Sequence, residues 1–174
     1  ALTNYRDPHF LKVNPPSRGD LVLDFLKTKK LPTQQLDQVK LDASNYNGFN
    51  LLFGDSKSLF HYSNVNDTIT KIESGIHGVS NALLNTSWPK LDQAKNDLEK
   101  VIDNERFEIE QLFELLKNEQ KPPIGQLPNT GISKEWEKAV SSVFIKTDNY
   151  GTRCSTLLLI DNNNNGTFIE RRYD

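Results

Sequence analysis

The chain has 174 residues, the length of one ordinary domain, with 36% hydrophobic and 25% charged residues, enough apolar mass for a core. Its 21 basic and 23 acidic residues leave a net charge of -2, and no local Lys/Arg cluster builds the basic footprint that nucleic acid demands. The longest apolar run, Leu157-Leu158-Leu159-Ile160, falls far short of the roughly 18 residues of a membrane span. One cysteine excludes an internal disulfide framework and a cysteine-based zinc cage. No signal peptide opens the chain, so a soluble, intracellular protein is expected.

In chain order, residues 1–5 read as a short strand, followed by a polar loop at Arg6-Asp7-Pro8 and Asn14-Pro15-Pro16. Ser17, with Asp20 three residues on, is the expected cap of a helix burying Leu21, Val22, Phe25 and Leu26. Thr33 is the expected cap of a second helix carrying Leu36, Val39 and Lys40. The period then changes. Phe49 to Phe53, Leu59 to Tyr62 and Thr68 to Ile72 are short, turn-bounded segments, which predicts an antiparallel meander that Ile76 to Leu84 continues. After Trp88-Pro89 a helical pattern returns, first with Leu91, Ala94, Leu98, Val101 and Ile102, then with Ile109, Leu112, Phe113 and Leu116. Nine acids and four bases between Asp92 and Glu119 read as a solvated face. Gln120 to Ser133, with three prolines and two glycines, is a loop. Ser133 then caps a helix carrying Trp136 and Val140, a strand follows at Ser142 to Lys146, and a hairpin pairs Arg153–Asp161 with Thr167–Arg172. The sum is an α+β chain, residues 1–174 in one domain, dominated by antiparallel sheet.

Familiar catalytic motifs are absent from the sequence: no Gly-rich phosphate loop, no Gly-x-Ser-x-Gly, no His-Glu-x-x-His. His61 and His77 fall in strand-like contexts and read as structural, and Cys154 reads as a small core residue of an apolar strand. No metal site and no resident cofactor are predicted. Three Asn-x-Ser/Thr sequons, at Asn66, Asn85 and Asn165, are what chance gives in a chain with 18 asparagines. What stands out is polar residues where strands need apolar ones: Asn4, the pair Asn47 and Asn50, Ser80-Asn81, and Tyr150-Gly151-Thr152-Arg153. A buried carboxamide or guanidinium must be hydrogen-bonded or it costs a few kcal/mol. Together these residues predict a polar cleft where Asn4, Asn81 and Arg153 converge, with Tyr5 or Tyr150 at its rim and Gln120 to Ser133 as a cover. Such groups suit orientation and oxyanion stabilisation rather than nucleophilic attack.

Six ordered blocks carry a family resemblance: Ala1 to Tyr5, Ser17 to Val22, Tyr46 to Leu51, Gly78 to Leu91, Tyr150 to Thr156 and Thr167 to Arg171. In order and spacing they resemble the transport and Golgi organisation protein 2 family, also called the NRDE (Asn-Arg-Asp-Glu) family, over essentially the whole chain. Family members begin Met-Cys and carry Asn-Arg-Asp-Glu soon after. Neither is here, and Asn4-Tyr5-Arg6-Asp7 is not that signature, so an N-terminally truncated fragment is expected. The resemblance implies an N-terminal-nucleophile-hydrolase-like αββα sandwich. It places Asn4 and Asn81 in oxyanion-type roles and Arg153 beside a nucleophile expected upstream, with no catalytic residue in the fragment itself. It implies a part in Golgi organisation and protein secretion, with haem as a transported ligand or an acyl lipid as partner, in the cytoplasm, at the Golgi or in mitochondria. The alternative from a different class is a cysteine amidase or acyltransferase whose nucleophile lies upstream.

Overall fold

The computed structural model describes residues 1–28, 30, 32–104 and 106–173, with the Thr33 side chain also outside the description, so the cap expected there is not addressed. The described residues fall into two compact units, Ala1–Thr86 and Ser87–Asp174.

The first unit contains strand β1 (Leu2–Asn4), helices α1 (Gly19–Lys27) and α2 (Pro32–Asp42), and strands β2 (Phe49–Gly54), β3 (Leu59–Ser63) and β4 (Thr68–Ile72). The strands form one antiparallel sheet in the order β1-β2-β3-β4. Its register aligns Leu2 with Leu51 and Leu51 with Tyr62. Alternation along a strand therefore sends Phe49, Leu51, Phe53 and Tyr62 to one face, where they meet Leu21, Leu36 and Val39 of the helices in a buried core. Phe49 and Tyr62 meet edge to face with ring centroids 5.9 Å apart. The opposite face presents Thr3, Asn50, His61 and Ser63, with Leu52 and Leu59 between and beyond them.

The second unit contains α3 (Pro89–Ile102), α4 (Ile109–Leu116), α5 (Lys134–Ala139) and an antiparallel hairpin of β5 (Cys154–Ile160) and β6 (Gly166–Arg172). A reciprocal capping box between Glu108 and Gln111 starts α4. Ser133 starts α5 as expected, its hydroxyl accepting from the Trp136 amide at 3.2 Å. Arg171 joins the hairpin to α4 twice over. Its guanidinium sits 4.0 Å above the ring of Phe113 and donates to both oxygens of Glu110, at 2.7 and 2.8 Å. That pairing holds the Glu110 carboxyl below its ordinary range.

Five expectations need correction. Residues 76–84 form bends and turns rather than a strand, and His77 is exposed in that segment, bonded to Asn85 and to the Glu73 carbonyl. Residues 142–146 likewise form bends, ending in an isolated antiparallel bridge between Lys146 and Gly151. Leu26 is 74% exposed, because the apolar stripe of α1 continues from Leu21 through Val22 and Phe25 and leaves Leu26 outside it. Arg18, not Ser17, occupies the N-cap of α1, although the Ser17 hydroxyl still accepts from the Gly19 amide. Cys154 is exposed, because the β5 register turns Ser155, Leu157 and Leu159 inward and its even-numbered neighbours outward.

Each unit has a fully buried aromatic anchor, Phe49 in the first and Phe113 in the second. Phe49→Ala and Phe113→Ala are each expected to cost about 3–5 kcal/mol, read as a lowered midpoint in urea unfolding.

Candidate functional site

In the first unit the polar residues of the sheet face opposite the helices are organised by one carboxamide. Asn50, 1% exposed and the second residue of β2, donates from Nδ2 to Thr3 Oγ1 at 3.2 Å and to the Ala82 carbonyl at 2.9 Å. Those two donations orient its Oδ1 towards His61 Nε2, 3.1 Å away. Oδ1 can only accept, so His61 carries its proton on Nε2. Burial lowers the His61 pKa, which keeps the imidazole neutral.

Two of the residues selected from sequence meet nearby. Asn81 Nδ2 donates to the Asn4 carbonyl at 3.0 Å, while Asn81 Oδ1 accepts from the Arg6 guanidinium at 3.0 Å. The Arg6 amide closes the same junction on the Asn81 carbonyl at 2.7 Å. Asn4 thus contributes backbone, with its side chain exposed. Tyr5 continues the pairing through its amide to the Gly48 carbonyl and meets Phe10 edge to face, centroids 6.1 Å apart. Ile76 to Leu84 therefore takes its backbone partners from carboxamides and turns rather than from a ladder.

Arg153 and Tyr150 belong to the second unit and share a groove of about 910 Å³, which also takes in Phe144, Lys146, Asp148 and Tyr173. Its wall is a short pinned loop. The Lys146–Gly151 bridge is extended by the Thr152 amide donating to the Ile145 carbonyl at 2.8 Å. The Thr152 hydroxyl accepts from the Ile145 amide at 3.0 Å, and the Thr147 hydroxyl both donates to the Tyr150 carbonyl and accepts from its amide. Gly151 is required by close approach: a Cβ there would lie 2.8 Å from the Ile145 carbonyl oxygen. The Tyr150-Gly151-Thr152-Arg153 block thus follows the bend at Asp148 and Asn149, and its middle two residues hold the backbone together. All four residues of the block line the groove.

Sequence reasoning missed Lys146 and Asp148, which reach the groove from the same loop, and it left Asn50 and His61 outside the site. The signal available was the turn-forming run Thr147-Asp148-Asn149 before Tyr150-Gly151, which converts a straight strand reading into a tight reversal. Among the described residues no cluster of three His, Cys, Asp or Glu could hold a metal, and no helix is long and apolar enough to cross a membrane.

The geometry defines an α+β chain on antiparallel sheets with a ligand-sized groove, and comparison gives it a lineage. The chain belongs to the transport and Golgi organisation 2 family, whose model matches residues 1–174. A transport and Golgi organization protein 2 homolog of Bos taurus is 32% identical over 189 residues, covering 98% of this chain and 67% of the relative. The Homo sapiens protein of the same description is also 32% identical, over 190 residues, with the same coverage.

Two outcomes test this anatomy. Gly151→Ala is expected to destabilise the second unit by about 1–3 kcal/mol, because a methyl cannot share space with the Ile145 carbonyl; urea unfolding measures it. For His61 the folded pKa lies below the unfolded value of about 6.5, so on acidification the unfolded chain takes up the proton first. Its stabilising contribution is complete above about pH 6.5 and is lost as the pH falls below that. Melting temperature is expected to drop as the pH falls below about 6.5 in the wild type and to stay flatter in His61→Gln.

Proposed function

We propose that this chain acts by binding a small ligand with an apolar body and an oxygen-bearing head, an acyl lipid or a haem-like molecule, in the service of Golgi organisation and protein secretion. The observation that carries the proposal is the groove of the second unit, where Tyr150 and Phe144 offer apolar surface beside the Arg153 and Lys146 cations. Sites of this kind join apolar lining to a few placed polar groups. The names of the relatives, transport and Golgi organization protein 2 homologs, supply the cellular context. Cytoplasm, Golgi surface and mitochondrion are its proposed locations. The N-terminal-nucleophile-hydrolase-like αββα sandwich is the fold reading that goes with it, supported by the antiparallel sheet of the first unit, with both helices on one face and Asn50, His61 and Ser63 among the residues of the other. In that unit the exposed Asn4 side chain and the Asn81 carboxamide keep the proposed oxyanion-type role through their N–H donors, with Arg6 as the adjoining cation and Tyr5 beside them.

The test is a titration of the chain with haemin, followed by its absorbance, and with a fluorescent fatty acid. Saturable binding of at least one is expected, weakened about tenfold, or roughly 1.4 kcal/mol, by Arg153→Gln. Saturation by neither probe, or full retention of affinity in the variant, overturns the groove as the binding site.

A further inference from the structure

The groove carries uncommitted charge of both signs. Lys146, Arg153, Asp148 and Glu119 all line it, and none of the four side chains has a hydrogen-bond or ion-pair partner among the described residues. The other two cations of the wall are occupied, Lys117 by Glu114 at 2.9 Å and Arg172 by Glu170 at 3.2 Å. Tyr150, 54% exposed, stands against Trp136, 44% exposed, with ring centroids 5.7 Å apart and planes at 55°. Tyr150 lines the groove and Trp136 stacks on it from outside the lining, so both tilted rings leave aromatic surface open to solvent beside the groove.

A purely anionic ligand would satisfy Lys146 and Arg153 but be repelled by Asp148 and Glu119. A purely cationic one meets the reverse problem. A head group carrying both charges uses all four. An ordinary ammonium would seek hydrogen bonds, whereas a quaternary ammonium has no N–H and is recognised by aromatic faces and carboxylates. We infer that the groove recognises a zwitterionic phosphocholine-type head group, its phosphate on Lys146 and Arg153 and its trimethylammonium against Tyr150 and Trp136 with Asp148 and Glu119 nearby. The inference rests on the groove being the ligand site and adds the chemical class of the head. Phosphocholine occurs free and as a lipid head, and the two sources share this chemistry.

Calorimetry on the full chain decides it, with phosphocholine, ethyl phosphate and choline as separate probes. Phosphocholine is expected to bind about tenfold or more tighter than either half. Tyr150→Ala and Asp148→Asn should bring phosphocholine down to the ethyl phosphate level, and Arg153→Gln should bring it down to the choline level. All three positions are exposed, and an unchanged melting temperature shows that each variant folds. Ethyl phosphate binding as tightly as phosphocholine, or no effect of Tyr150→Ala, overturns the inference. Cosedimentation with phosphatidylcholine vesicles that free phosphocholine reverses assigns the lipid source; calorimetric binding without cosedimentation assigns the free head group. Haemin or fatty-acid binding that persists while phosphocholine fails sinks only the head-group inference. Phosphocholine binding without either of those probes sinks only the acyl or haem reading.

Discussion

Backbone amides and carbonyls that lie outside a ladder still need partners when water is excluded, and much of this molecule is arranged around that requirement. In the first unit the irregular stretch after β4 has no strand to pair with, so carboxamides close it. Asn50 takes the Ala82 carbonyl, Asn81 takes the Asn4 carbonyl, and the Arg6 amide takes the Asn81 carbonyl. In the second unit hydroxyls do the same work: Thr147 and Thr152 fasten the loop between residues 145 and 152 to itself. Polar side chains inside apolar-looking sequence are therefore, in the first instance, the means by which non-repetitive backbone is held in place. The groove is a consequence, because a loop fastened this firmly presents its outward residues in a fixed arrangement.

The meander and the final hairpin were legible because their residues alternate with period two and are bounded by turn chemistry. β2, β3, β4 and β5–β6 fall within a residue or two of where the pattern puts them. The helices were legible from their stripes, and Ser133 from its capping position. Residues 76–84 and 142–146 were not, because Val79, Ala82, Leu83 and Leu84 in one, and Val143, Phe144 and Ile145 in the other, look strand-like in isolation. Whether such a segment pairs depends on a neighbour far along the chain, and local sequence does not encode it. Cys154 shows the same limit at one residue: the strand was visible, but which of its faces is covered was not.

The polar anomalies fall at two hydrogen-bonded places, one in each unit. Asn4 and Asn81 touch although 77 positions apart in sequence, and Tyr150 and Arg153 share a groove. The roles differ from a simple reading of side-chain type. Asn4 acts through its carbonyl, and Gly151 and Thr152, the least chemical members of their block, fix the geometry in which Tyr150 and Arg153 are displayed. Membership of the transport and Golgi organisation 2 family agrees with the ordered blocks read from sequence, while the arrangement of charge around the groove became visible only once the loop was folded.

The central claim is that ligand binds on the pinned loop of the second unit. Backbone amide NMR of the chain titrated with a soluble fatty acid tests it at residue resolution. The account predicts the largest shifts at residues 144–153 and at Tyr173, with the amides of β2 and β3 unmoved. Shifts concentrated around Asn50 and His61, or spread evenly over the chain, would contradict it.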